Sequence, residues 1–252
     1  DQLREPIHFL SYFHRDFHRR TGIRVPLLSP YPDLHLSEEE RTVPLVDGRY
    51  WIVISGGKSD FTTKVWETAS WQTAVDGLRD MGLGVVQAGA AESKHWHPPL
   101  DGVLNLVGQT DLRDFLRLIH HADGIICGIT FGMHAAAALQ RPCVVIAGGR
   151  EAWWWEAYVH QNKGLGGHAV ASQLKMPHRF LHTIGLLDCC THHGCWRNKV
   201  QPLNNDPSIC KYPLTSGALA VPACMRLIQP SHVLEAVMSY YTDNSLPPIV
   251  AT

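Results

Sequence analysis

Two groups of residues have types and spacings that could do chemistry. The first lies in the stretch Ala122 to Glu151, where Gly128, Ile129 and Thr130 separate a short apolar run from a helix-forming one. A helix starting there would present the N–H groups of Thr130 to Met133 unpaired, with the partial positive charge of a helix N-terminus, and that combination suits a phosphate. The second group is Cys189, Cys190, Cys195, Cys210 and Cys224, with His192 and His193 between the first pair and Cys195. Four thiolates from separated segments in a tetrahedral array suit zinc or a single iron. The spacing is not the paired Cys-x-x-Cys of a zinc ribbon, so disulfides and unpaired buried thiols stay open as alternatives.

The elements that must hold the first group are legible around it. Gly124 to Cys127 is short and apolar enough for a strand buried on both faces, and Thr130 is suited to cap the next helix. Ala135 to Ala138 favour helix and have almost no side chain, so that helix can lie close against a sheet. Arg141 and Pro142 end it. Cys143 to Ala147 form a second buried strand, closing in Gly148-Gly149, where no Cβ would keep a ligand from the backbone. Arg150 and Glu151 follow at the strand end, which places them on a pocket rim, with an internal salt bridge as the plainer alternative. On pattern alone an ordinary α/β crossover accounts for the stretch as well as a phosphate site does, and its glycines match neither a dinucleotide fingerprint nor a P-loop.

The same alternation begins upstream. Tyr50 to Ser55 reads as a strand with the turn Gly56-Gly57 behind it, flanked by Lys58 and Lys64. Thr68 to Met81 has helical spacing of Ala69, Trp71, Ala74, Val75 and Leu78, and Gly82 stops it. Val85 to Gln87 and Val103 to Leu106 read as further strands, and Asp111 caps a helix running to about His121. Strands alternating with helices from Tyr50 to Ala147 predict an α/β fold, a Rossmann-like parallel sheet with helices on both faces. Before it, Ile7, Phe9, Leu10, Phe13 and Phe17 share one face of a helix ended by Gly22, and Ser37 opens an acidic turn after a proline-rich connector. After it come three consecutive tryptophans, Trp153 to Trp155, which one helix cannot point the same way, so at least one is expected to face a ligand, another domain or another chain. Gly164 to Gly167 reads as a loop, Phe180 to Ile184 as a strand, and Pro230 to Tyr241 as a final helix capped by Ser231. The expected division is 1–46 as the end of a preceding domain and its linker, 47–185 as the Rossmann-like domain, 186–229 as a cysteine-rich segment, and 230–252 as a C-terminal helix and tail.

Composition narrows the partners. The 252 residues are 45% hydrophobic with a formal net charge of -1, enough to bury a core and with no global electrostatic footprint for nucleic acid. No apolar run is long enough for a transmembrane helix, and the N-terminus has no apolar signal core, so a cytoplasmic protein is the default expectation.

The order of these features resembles the C-terminal, nucleotide-sugar-binding half of a GT-B glycosyltransferase of the heptosyltransferase family, glycosyltransferase family 9, from about Tyr50 to Tyr241. Ser55-Gly56-Gly57 and Thr62-Thr63-Lys64-Val65-Trp66 match the strand, small-residue loop and Thr-x-Lys-x-Trp-like segment that open the family's donor domain. Gly89-Ala90-Ala91-Glu92 matches a later Gly-Ala-acid turn. Thr130, His134, Arg141 and Pro142 fit the family's Asp-Thr-Gly-x-x-His segment and the Arg-Pro strand after it, with Ile129 at the Asp position and the glycine displaced to Gly132.

The resemblance implies an ADP-activated sugar donor and transfer to a glycan or protein acceptor. It implies a donor site of Ser55, Gly56, Gly57, Lys64, Glu92, Thr130, Gly132, Met133, His134 and Arg150. Lys64 would stabilise the diphosphate leaving group, and Glu92 would bind ribose hydroxyls. The family's catalytic base belongs to the N-terminal domain, of which residues 1–46 would be the last helix and linker, so a separate chain or an oligomer could complete the enzyme. One subgroup, acting on autotransporter proteins, holds an iron by cysteines in this part of the chain, which implies a structural iron or zinc at Cys189 or Cys190 with Cys195, Cys210 and Cys224. The competing class is a non-catalytic assembly module that keeps the fold and uses the tryptophan run as its contact surface.

Overall fold

The computed structural model describes residues 7–29, 31–92, 94–159, 176–191, 193–201, 208–217 and 219–249. Helix α1 (Phe9–Thr21) and the one-turn α2 (Glu38–Thr42) precede strand β1 (Tyr50–Ile54). There follow β2 (Gly57–Lys58), a 3-10 turn (Thr62–Lys64), α3 (Thr68–Asp80), β3 (Gly84–Gln87), β4 (His95–Trp96), β5 (Leu104–Asn105), α4 (Leu112–His121), β6 (Gly124–Cys127), α5 (Phe131–Ala138) and β7 (Cys143–Gly148). The chain continues with α6 (Trp153–Glu156), β8 (Arg179–His182), the pair β9 (Pro213–Ser216) and β10 (Leu219–Pro222), α7 (Ala223–Arg226) and α8 (Pro230–Thr242).

Six strands form one sheet in the order β5-β3-β1-β6-β7-β8, every pair parallel. Strand periodicity splits the core in two. Trp51, Val53, Val85, Ile126, Val144 and Ile146 face one side, where α3, α7 and α8 supply Trp71, Leu78, Met225 and Val237. Tyr50, Ile52, Ile54, Ile125, Cys127 and Val145 face the other, where α4 and α5 supply Leu118, Ile119, Met133 and Ala136. The α/β sandwich expected from the alternation is therefore the fold. Chain order reverses between β1 and β6, and in such sheets the crevice beyond the strand ends at that point is the usual ligand site.

The C-terminal helix is tied to the sheet by polar contacts as well as burial. The indole N–H of Trp51 donates to Tyr241 Oη at 2.7 Å, and that hydroxyl donates to Asp123 Oδ2 at 2.9 Å. Arg49 pairs with the same carboxylate and donates to the carbonyls of Pro247 and Pro248, so the C-terminal stretch read as tail is pinned through Pro248.

Several local expectations are corrected. The N-cap of α8 is Gln229, in a capping box with His232, while Ser231 lies inside the helix after Pro230 at N1. In α1 Gly22 ends the helix as read, in a left-handed cap, but Phe13 and Phe17 are 59% and 46% exposed, so only part of the apolar face is buried. The three tryptophans diverge into intramolecular contacts. Trp153 stacks on His182, Trp154 is buried, and Trp155 packs against Tyr12 and Phe13 of α1 and against Trp196. Two small antiparallel pairs, β2 with β4 and β9 with β10, had no counterpart in the sequence reading. The loop read at Gly164 to Gly167 lies outside the described residues.

Candidate functional site

The ends of β1 and β6 open onto a cavity of about 770 Å³ at the point where strand order reverses. Its floor is the loop after β1, Ser55 to Lys58, with Lys64 from the 3-10 turn. One wall is Gly128, Ile129, Thr130 and the start of α5, and the far rim is Gly89, Ala90 and Glu92 after β3. Of the residues the resemblance nominated, Ser55, Gly56, Gly57, Lys64, Glu92, Thr130 and Gly132 line this one space.

Each is positioned by local chemistry. The Ser55 hydroxyl accepts from the Gln87 amide at 2.8 Å, which joins the β1 and β3 loops beneath the cavity. Gly56 has no room for a side chain, because a Cβ there would overlap the main-chain carbonyl of Trp96 in β4. The β2–β4 pair thus closes directly over the loop, and Gly57, Lys58 and His95 from the pair line the cavity. Thr130 is the N-cap of α5, its hydroxyl accepting from the Gly132 N–H at 3.3 Å. Gly132 serves packing: a Cβ would meet the side chain of Ile54 at 2.5 Å, so the glycine lets α5 lie on the sheet with its N-terminus at the cavity.

Lys64 is the cavity's half-buried cation, its side chain 25% exposed. Its ammonium lies 2.9 Å from Glu151 Oε1 and donates to the Ile129 carbonyl at 3.2 Å. Among the described residues these contacts take two of its three N–H donors, leaving one for a ligand. Burial, and next the neighbouring Arg150 guanidinium, lower its pKa to about 8, against a smaller opposing pull from Glu156. Ile129, at the position where the resemblance expects Asp, contributes only its backbone oxygen to the contacts of the lysine.

Three nominated residues lie off the cavity lining. Met133 is core, packed with the α4 side of the sheet. His134 points back one turn, its Nδ1 2.9 Å from the Tyr158 hydroxyl, and burial, with Lys64 nearby, lowers its pKa to about 4, so it is neutral near pH 7. Arg150 is buried rather than on a rim. It pairs with Glu151 and donates to the Arg197 carbonyl and to Asn198 Oδ1, both at 2.7 Å. The Gly148-Gly149 end of β7 is likewise filled by the chain itself: Cβ atoms there would collide with Met225 Sδ and come within 2.7 Å of Cys190 Sγ.

Sequence reading missed the aromatic and histidine walls. Phe61, Trp66, Trp71, Phe115, Phe131, His95 and His97 all line the cavity. His97 lies against Gly89, where any Cβ would enter its ring, and burial, then His95, lowers its pKa. The only signal was the pairing of Gly89 with a His-x-His six residues on, and nothing local said that the two would meet.

The cysteines gather near the end of β7. Cys224, Cys210 and Cys189 each have a raised thiol pKa, first through burial, and each is also raised by Cys190 and Cys195 close by; Cys224 reaches about 12 and Cys189 about 11. Among the described residues no three His, Cys, Asp or Glu side chains stand in a metal-holding arrangement, so the expected metal centre is not formed as such. The donor set is right in kind for a soft or borderline cation.

Comparison with known proteins gives a consistent picture. The sequence matches the family described as glycosyltransferase family 9 (heptosyltransferase) over residues 7–183. No curated protein matches by sequence. Among solved structures, the chain is similar to E. coli ADP-heptose lipopolysaccharide heptosyltransferase II, with TM-score 0.52, 18% identity, and coverage of 89% of this chain and 57% of that one. It is also similar to the dodecameric, iron-containing heptosyltransferase TibC in complex with ADP-D-beta-D-heptose, with TM-score 0.53, 17% identity, and coverage of 81% and 48%. TibC comes from enterotoxigenic E. coli H10407. The chain spans about half the length of these solved structures. Among the described residues no helix is long and apolar enough to cross a membrane.

Proposed function

Because the chain belongs to glycosyltransferase family 9, the heptosyltransferases, we propose that the cavity beyond β1 and β6 takes an ADP-activated sugar. On this reading the sugar passes to a glycan or protein acceptor, against a second domain that carries the base. The observation that carries the reading is the convergence of Lys64, Glu92 and the N-terminus of α5 on one cavity at the strand-order reversal. As the glycosidic bond breaks, the departing nucleoside diphosphate gains negative charge. The Lys64 ammonium and the α5 N–H groups are preorganised to take it up in a half-buried site, where such contacts are stronger than in water. Glu92 on the rim offers its carboxylate to ribose hydroxyls.

Lys64 binds a phosphate as the cation, and its pKa of about 8 places loss of charge within reach of experiment. ADP affinity is expected to be flat below about pH 7 and to fall up to about tenfold per unit once the free lysine deprotonates. Calorimetric titration with ADP between pH 6.5 and 9.5 checks this, and a flat profile would remove Lys64 from the diphosphate.

A metal at Cys189 or Cys190 with Cys195, Cys210 and Cys224 belongs to the same reading. The iron of TibC supports it, and so do the thiols of Cys210 and Cys224, raised first by burial and further by Cys190 and Cys195 beside them. A bound iron or zinc would hold the thiols as thiolates and cross-link the cysteine-rich segments. Elemental analysis of protein purified without added metal should find close to one ion per chain, and clean absence ends this part of the reading.

A second reading, a non-catalytic module that keeps the fold, is favoured by Ile129 in place of the family's Asp and by the exposed Phe13 and Phe17 of α1. Such a module would bind no nucleotide.

A further inference from the structure

Lys64 lies between two attachments of one distant segment, residues 195–200. On the first side, Thr63 Oγ1 donates to the Arg197 carbonyl at 2.7 Å, and the Thr63 N–H donates to the Asn198 carbonyl at 3.2 Å. The Val200 N–H donates to Thr62 Oγ1 at 2.9 Å, so both residues before Lys64 are fastened to the segment. On the second side, Arg150 donates to the same Arg197 carbonyl and to Asn198 Oδ1, each at 2.7 Å. Arg150 also pairs with Glu151, the carboxylate 2.9 Å from Lys64 Nζ. The N–H groups of Cys195 and Trp196 donate to the carbonyls of Gly149 and Arg150. One oxygen, that of Arg197, therefore joins the turn carrying the ammonium to the arginine sharing its counter-ion.

Resting on the donor reading, we propose that residues 195–200 are a strap belonging to the donor site, and that Thr63, Asn198 and Arg150 are positioning residues that set Lys64 over the cavity. A three-residue 3-10 turn has poor hydrogen-bond geometry of its own, and a lysine stem has four rotatable carbons, so neither holds the ammonium at a fixed point unaided. The strap holds both ends of the arrangement, the turn through Thr62 and Thr63 and the counter-ion through Arg150. Its roots are in the cysteine-rich region: Cys195 begins it, and the Cys210 N–H donates to the Lys199 carbonyl at 2.7 Å. Order in that region is thereby conveyed to the donor cavity across a sequence separation of more than a hundred residues.

The test is a double-mutant cycle read by calorimetric titration with ADP. Thr63→Val keeps shape and removes the hydroxyl donor; Asn198→Ala removes the acceptor for Arg150. Each should weaken ADP binding about three- to tenfold in the wild-type background, the scale of one lost hydrogen bond, and should change nothing further in a Lys64→Met background. Asn198→Asp retains the acceptor and should restore affinity close to wild type. Unchanged affinity in both variants overturns the strap, and so does an equal loss with and without Lys64, which marks a merely structural role. If Thr63→Val does not fold, the Asn198→Ala and Asn198→Asp pair decides alone. Absence of ADP binding in the wild-type protein instead defeats the donor reading, and the strap falls with it.

Discussion

Replacing Lys64 with Met should weaken ADP binding by about 10- to 100-fold, the equivalent of about 1.5 to 3 kcal/mol for one charge-assisted contact to a phosphate in a half-buried site. Methionine keeps the stem that packs in the cavity floor and removes only the charge. Glu151 remains paired with Arg150, so folding should survive the change. The same variant should lose the fall in affinity above about pH 8, because the titrating group is gone. Calorimetry on both proteins at pH 7 and pH 9 measures the two effects together. An affinity within about twofold of wild type would take Lys64 out of the site, whatever the fate of the fold.

The second large effect concerns Trp66, which the family resemblance places two residues after the lysine. Its side chain is fully buried, its indole N–H donates to the Ile228 carbonyl at 2.9 Å, and its ring meets Trp71 edge-on at 5.2 Å. It is thus a pillar between the loop carrying Lys64 and the approach to α8, and it also lines the cavity. Trp66→Ala should destabilise the protein by about 3–5 kcal/mol, from lost burial and the void left behind, with about 1 kcal/mol more for the orphaned carbonyl. At this chain length that lowers the melting temperature by about 10 °C or more. Trp66→Phe, which keeps most of the ring, should lose distinctly less. Thermal unfolding by circular dichroism decides the matter: a melting temperature unchanged within about 2 °C would mean that the aromatic wall carries no load.

How much of this was legible in the chain follows from how local each cause is. The central strands and helices were readable because their causes are local: Tyr50–Ile54 and Cys143–Gly148 are short continuous apolar runs buried on both faces, and Thr130 and Asp111 are caps whose side chains bond two or three residues on. The β2–β4 pair was not readable, because each strand is two residues long and its cause is the fit of Gly56 beneath Trp96. The site divides the same way. Lys64, Thr130 and Glu92 were nominated by the family resemblance, each on a loop that follows a strand legible in the sequence, and they share the cavity. Arg150 and Gly148-Gly149 were assigned to ligand because a glycine-rich strand end can open either to solvent or to the protein's own chain. Here Cys190, Met225 and Asn198 fill it. His134 lies off the cavity lining for a geometric reason: three residues into α5 its ring meets the Tyr158 hydroxyl. The aromatic walls come from the loops after β1 and from α3, α4 and α5, and only packing brings them together.

The central claim is that this chain holds an ADP-activated sugar, and the most direct test is a thermal-shift and calorimetric titration with ADP, UDP, GDP and ADP-heptose. A ligand that binds only the folded state raises its melting temperature in step with its affinity. The account predicts selective stabilisation by ADP and ADP-heptose, with a saturable heat of binding. No shift with any of the four would contradict it and leave the non-catalytic module as the reading that fits.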